Sequence, residues 1–84
     1  MYKIVIEHRT TKETTRIPKD QMGRIAAVIR GLAINPRPEG IKRIVGELGI
    51  YRIRSGDYRV LYEINESAKE IRILRIAHRK DIYR

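Results

Sequence analysis

Tyr51-Arg52-Ile53-Arg54-Ser55-Gly56-Asp57-Tyr58-Arg59-Val60-Leu61-Tyr62-Glu63-Ile64 is the stretch that decides the fold of this 84-residue chain. Gly56-Asp57 is a two-residue turn signal with glycine first, which suits a type II′ hairpin between β-branched and aromatic runs. Closing the hairpin there pairs Ser55 with Tyr58, Arg54 with Arg59, Ile53 with Val60, Arg52 with Leu61 and Tyr51 with Tyr62. Alternation then collects Tyr51, Ile53, Tyr58, Val60 and Tyr62 on one face and Arg52, Arg54 and Arg59 on the other. A loop one residue longer would mix charge and apolar side chains on both faces, so the two-residue loop is preferred. Two arginines directly opposite each other repel. An anion held between them is a reason for a fold to keep them.

Downstream, Asn65-Glu66-Ser67-Ala68-Lys69 is a second turn and Glu70 to His78 a further strand. Pairing Glu63 with Arg72 joins opposite charges and sets Ile64 against Ile71 and Tyr62 against Ile73. Continued without interruption, this register puts His78 on the face of Arg59. It also puts Arg75 on the apolar face, which a bulge or an edge position would resolve.

Upstream, Tyr2 to Glu7 alternates as a first strand, with Tyr2, Ile4 and Ile6 on one side. Thr10-Thr11-Lys12-Glu13 fits a capping box that opens a short helix, although Thr14 and Thr15 are poor helix formers. Pro18 ends that helix or opens the next. Met22, Ile25, Ala26, Ile29, Leu32 and Ala33 form the apolar stripe of a helix over residues 19–34, stopped by Asn35-Pro36-Arg37-Pro38-Glu39-Gly40. Ile41 to Glu47 is a short strand or a loop. The order β, helices, antiparallel meander gives an α+β domain over residues 1–84, with its two N-terminal helices packed on one face of a twisted antiparallel sheet.

Composition narrows the partners. Thirteen Arg and six Lys against ten acidic residues give a net charge of +9 and a pI near 10.4. The planar guanidinium fork suits phosphate oxygens and stacks on bases, so a polyanion partner is expected. There is no cysteine, hence no disulfide and no thiolate metal site. The first residues show no signal-peptide apolar core, and no apolar run reaches the length of a membrane helix. A cytoplasmic protein without cofactor or structural metal is expected. His8 reads as an ordinary strand-end residue.

The segment 51–64, the ending Ala77-His78-Arg79-Lys80-Asp81-Ile82-Tyr83-Arg84 and the turn Asn35-Pro36-Arg37-Pro38 together resemble the RelE/ParE toxin superfamily, RelE-type toxins above all. The resemblance covers nearly the whole chain. It implies a β-α-α-β-β-β fold and a toxin of a type II toxin–antitoxin system. It further implies neutralisation by an acidic, RelB-like antitoxin and metal-independent cleavage of mRNA in the ribosomal A site. Carried over by position, the catalytic set is Arg54, Arg59, His78, Arg79 and Tyr83, with Arg52, Lys80 and Arg84 binding substrate. Arg59 and Arg79, helped by Arg54, would stabilise charge on the phosphorane, and Arg52 and Arg54 would orient phosphate. His78 would be base or acid, and Tyr83 would stack on a base or place a proton donor. The best-known relatives carry lysines where this chain has Arg52 and Arg54, and Ala and Leu where it has Thr10 and Thr14. The first helix is therefore expected to be weakened or redrawn. Because arginine stays protonated, His78 is left as the conventional acid–base candidate. The shared fold keeps two other functions open: a ParE-like inhibitor of DNA gyrase, and an attenuated relative that mainly binds its antitoxin.

Overall fold

A computed structural model describes residues 1–82. The elements are β1 (Lys3–Ile6), α1 (His8–Thr14), α2 (Lys19–Ile34), β2 (Lys42–Arg43), β3 (Ile50–Ser55), β4 (Tyr58–Asn65) and β5 (Glu70–His78). They build an α+β fold around one sheet of order β1-β5-β4-β3-β2. The β2–β5 meander is antiparallel, but β1 lies parallel to β5, with Lys3 beside Glu70 and Ile6 beside Ile73. The sheet is therefore mixed. The helices connect β1 to the opposite edge of the meander, a crossover that leaves β1 and β5 running the same way.

The β3–β4 register is the one the turn dictates, from Ser55–Tyr58 to Tyr51–Tyr62. Gly56 carries a φ of 60°, which the first position of the turn requires. Val60, Tyr62, Ile64, Ile71, Ile73 and Ile76 point to one face and bury against Ile25, Ile29 and Leu32 of α2. That α2 stripe is the period of an amphipathic helix, and Pro18 stands at its N-cap, its carbonyl accepting from the Met22 amide.

The expected β4–β5 register holds from Asn65 to Tyr62 and then slips. Tyr62 pairs with Ile73, but Leu61 pairs with Arg75, so Leu74 is an extra residue in β5. From there to the strand end every side chain exchanges faces relative to an unbroken ladder. Arg75 leaves the apolar face, Ile76 takes its place in the core, and His78 comes opposite Tyr58.

Helix α1 forms, but not by a capping box. It starts at His8 with Glu7 at the N-cap, so Thr10 lies inside the helix and is fully buried. Its hydroxyl donates to the Leu74 carbonyl at 2.6 Å. Glu13 turns away from the helix start towards β5. Its Oε2 accepts from Arg75 Nε and Nη2 at 3.0 and 2.9 Å, and its Oε1 accepts from the Ile76 amide at 3.1 Å. Helix α1 thus continues along β5 from where β1 stops and satisfies backbone groups at the bulge.

Tyr62 ties the core to the turn after α2. Its ring is fully buried and stacked on Tyr51, and its hydroxyl donates to the Pro36 carbonyl at 2.7 Å. Arg37 lies over Tyr51 and pairs with Glu66 at 2.8 Å, and that hydrogen bond, seconded by one from Tyr2, holds the Glu66 carboxyl below the usual range. Burial pushes the Tyr62 phenol up to about 12. The folded state thus favours the neutral phenol, whose stabilising contribution is intact below pH ~10 and lost as pH rises from about 10 to about 12. Urea unfolding midpoints should fall over that window. Tyr62→Phe strands the Pro36 carbonyl and should lose about 1–2 kcal/mol at pH 7. Its midpoint should then decline less between pH 10 and pH 12 than that of the parent chain. Parallel declines in the two proteins would show that Tyr62 is not the titrating group.

Candidate phosphate-binding face

The sheet face turned away from α2 carries most of the charged side chains of the meander. Its two ends differ. Towards β1, acids and bases are interleaved: Glu63 stands opposite Arg72, and Arg72 pairs with Glu7 at 3.3 Å and Glu70 at 3.1 Å. Towards the β3–β4 turn, the charged residues in register are all cations, interspersed with Leu61 and Ala77. Arg54 faces Arg59, and Arg52 is flanked by Lys42 of β2. Lys42 was not legible as part of this group, because residues 41–47 read as either strand or loop and a two-residue strand leaves almost no periodic signal.

The turn organises the rim of this patch. Arg59 folds over it, Nη1 donating to the Gly56 and Tyr58 carbonyls at 3.2 Å each. A guanidinium has five N–H donors, so capacity for a phosphate remains after those contacts. Beyond β5 the tail is drawn to the same turn. The Arg79 amide donates to the Asp57 carbonyl at 2.8 Å, and Arg79 Nε lies 3.9 Å from Asp57 Oδ1. That ion pair is well exposed and adds little by itself; the backbone bond is what fixes where the tail leaves the sheet.

The structure therefore brings Arg52, Arg54, Arg59 and Arg79 to one end of the sheet and adds Lys42. It does not bring His78 to the same face. The bulge at Leu74 places the imidazole opposite Tyr58, on the helix side, where the two rings meet edge to face with centroids 5.6 Å apart. His78 Nδ1 accepts from the Lys80 amide at 3.2 Å. The expectation that His78 shares a face with Arg59 is corrected accordingly. Lys80 is exposed just past β5. Tyr83 and Arg84 lie outside the described residues. Among the described residues, no group of three or more His, Asp or Glu side chains is placed to hold a metal ion, and no helix is long and apolar enough to cross a membrane.

A patch of this kind binds phosphate and stabilises negative charge that develops on it.

Comparison with known proteins gives a consistent picture. Residues 5–83 match the family described as ParE toxin of type II toxin–antitoxin system, parDE. A protein of Methanocaldococcus jannaschii named as a candidate toxin, RelE1, is 29% identical over 86 residues, covering 99% of this chain and 96% of its own length. The fold superposes on RelE from the archaeal RelE–RelB complex of Pyrococcus horikoshii with a TM-score of 0.84 at 29% identity, over 95% of this chain and 97% of that one. The isolated RelE toxin of E. coli, at 20% identity, shares the fold with a TM-score of 0.82 over 99% of this chain and 92% of that one.

Proposed function

Because the chain belongs to the ParE toxin family of type II toxin–antitoxin systems, within the RelE/ParE superfamily, we propose that it is a RelE-like endoribonuclease acting on mRNA in the ribosomal A site. The observation that carries this reading is the end of the outer sheet face whose charged residues in register are all cations, with Arg54 opposite Arg59 and no acid in register with them. In this mechanism the 2′-oxygen attacks the adjacent phosphorus, and the bond to the 5′-oxygen breaks. The 2′-hydroxyl gives up its proton and the departing 5′-oxygen gains one. Arg54, Arg59 and Arg79 hold the charge that builds on the phosphorane oxygens. Arg52, Lys42 and Lys80 hold flanking phosphates, and Tyr83 and Arg84 keep the roles carried over from the family pattern. No metal is invoked. The natural restraint is an acidic, RelB-like antitoxin in the cytoplasm, since the Pyrococcus horikoshii relative is found in complex with RelB.

The face exchange of His78 changes what is expected of it. Charge stabilisation, not His78, carries most of the rate. His78→Ala should keep growth arrest on induction, within about tenfold in cleavage rate, whereas losing one aimed charge donor costs roughly 10²–10³. Primer extension on ribosome-bound messages after induction tests the whole reading. Cuts within the A-site codon are expected. A DNA-damage response with intact messages would overturn the reading in favour of a gyrase inhibitor, the alternative favoured by the imidazole lying off the arginine face. Neither cuts nor damage would point to an attenuated antitoxin-binding relative.

A further inference from the structure

The turn that carries Arg59 outward carries Tyr58 inward, and on that side lies a feature the arginine face does not use. An open pocket of about 470 Å³ lies between the end of α1 and the ends of β4 and β5. That volume lies within the range of small-molecule sites. Tyr58 and His78 line it with aromatic rings and Ile17 and Ile76 with apolar side chains, while Lys12 and Arg16 stand on the α1 side. The ion pair of Glu13 and Arg75 also lines it, and so does the acidic Asp81, next to the tail.

Lys12 and Arg16 are both exposed, and neither makes an ion pair among the described residues. Lys12 lies in the last turn of α1 and Arg16 just past its end, so one short segment brings both cations to the pocket. Aromatic rings, an apolar floor and paired cations form the combination that receives an unstacked base with its phosphate. Charge and shape thus favour a nucleotide over an acidic peptide, which would use the cations and leave the aromatic wall idle. The pocket also borders the arginine face. Tyr58 and Arg59 are consecutive and point to opposite faces, and Arg79 follows His78 where the tail leaves the sheet.

Resting on the ribonuclease reading, we propose that this pocket takes one unstacked nucleotide of the RNA strand, next to the phosphate held on the arginine face. Its base lies against Tyr58 and His78, and its phosphate lies between Lys12 and Arg16. The strand bends round the end of the sheet past Arg79, and His78 serves as a wall that positions substrate.

The test is a titration of the full chain with adenosine and uridine monophosphates, followed by NMR of the aromatic side chains, with inorganic phosphate as a control. Saturable shifts at Tyr58 and His78 are expected with the nucleotides and not with phosphate alone. Lys12→Ala with Arg16→Ala, both at exposed positions, should weaken the nucleotide Kd roughly tenfold while leaving the unbound spectrum of the two rings in place. Arg54→Ala should leave this binding unchanged although it removes RNA cleavage, so the pocket and the ribonuclease reading fail separately. Shifts confined to the arginine face, no saturation in the millimolar range, or ring shifts that arise only with an acidic antitoxin would each overturn the proposal.

Discussion

Arg54→Ala and Arg59→Ala each abolish growth arrest and RNA cleavage, and neither unfolds the protein: this is the result expected from the β3–β4 register. The two guanidinium groups are directly opposed on the outer face. Like charges in that position destabilise a sheet by roughly 0.2–1 kcal/mol, so removing one should leave thermal stability unchanged or slightly higher. Arg59→Ala also gives up hydrogen bonds to the Gly56 and Tyr58 carbonyls, which water can replace at an exposed turn. Function should move the other way. A donor aimed at charge that appears only in the transition state is worth about 3–4 kcal/mol, a cleavage rate lowered by two to three orders of magnitude. Ground-state affinity for single-stranded RNA should drop with a recognisable salt signature. Each lost phosphate contact should flatten the slope of log affinity against log salt by about 0.7. Thermal melts, single-turnover cleavage and binding across a salt series check the three parts together. Full toxicity in both variants, or loss of activity that merely tracks loss of fold, would remove the catalytic face from its assigned role.

How much of this was legible beforehand depends on the range of the signal. The hairpin could be read to the residue because its determinants are local: Gly56-Asp57 sets the loop, and the alternation from Tyr51 to Tyr62 allows only one register that keeps charge out of the core. The α2 stripe is legible for the same reason. The bulge at Leu74 is not local. It trades an ideal ladder for burying Ile76 and freeing Arg75 to meet Glu13, 62 residues earlier in the sequence. Its only trace in the sequence is the anomaly it removes, an arginine on the apolar face after the adjacent pair Ile73-Leu74. Missing it carried His78 to the wrong side. Glu13 misled in a similar way. A Thr three residues before a Glu satisfies the capping pattern, yet Thr10 and Glu13 both bind β5 instead. The parallel direction of β1 leaves no mark in alternation, which reads the same forwards and backwards.

Glu13→Ala should be among the most destabilising substitutions in the chain. One carboxylate holds Arg75 through two nitrogens and also takes the Ile76 amide, with both charged side chains about one-fifth exposed. Removing it leaves a guanidinium without its main counter-charge and a backbone N–H without a partner beside the bulge. Breaking one side of a well-buried pair costs about 3–5 kcal/mol, and partial exposure places this one near the lower end. At about 4–8 °C per kcal/mol for a domain of this size, a fall in Tm of roughly 15 °C follows. Glu13→Gln restores a carbonyl acceptor for the amide but not the charge, and should recover part of the loss. Combining Glu13→Ala with Arg75→Met removes both charges, and the double variant should be more stable than the sum of the single changes implies. A thermal double-mutant cycle measures that difference directly. A drop below about 3 °C for Glu13→Ala, or strict additivity with Arg75→Met, would mean that α1 is held to β5 by Thr10 and apolar contacts alone. The distinction reaches function, because α1 is the wall of the pocket beside Tyr58 and His78. If Glu13 is the anchor, its loss should broaden the Lys12 and Tyr58 resonances together while the hairpin arginines keep their positions.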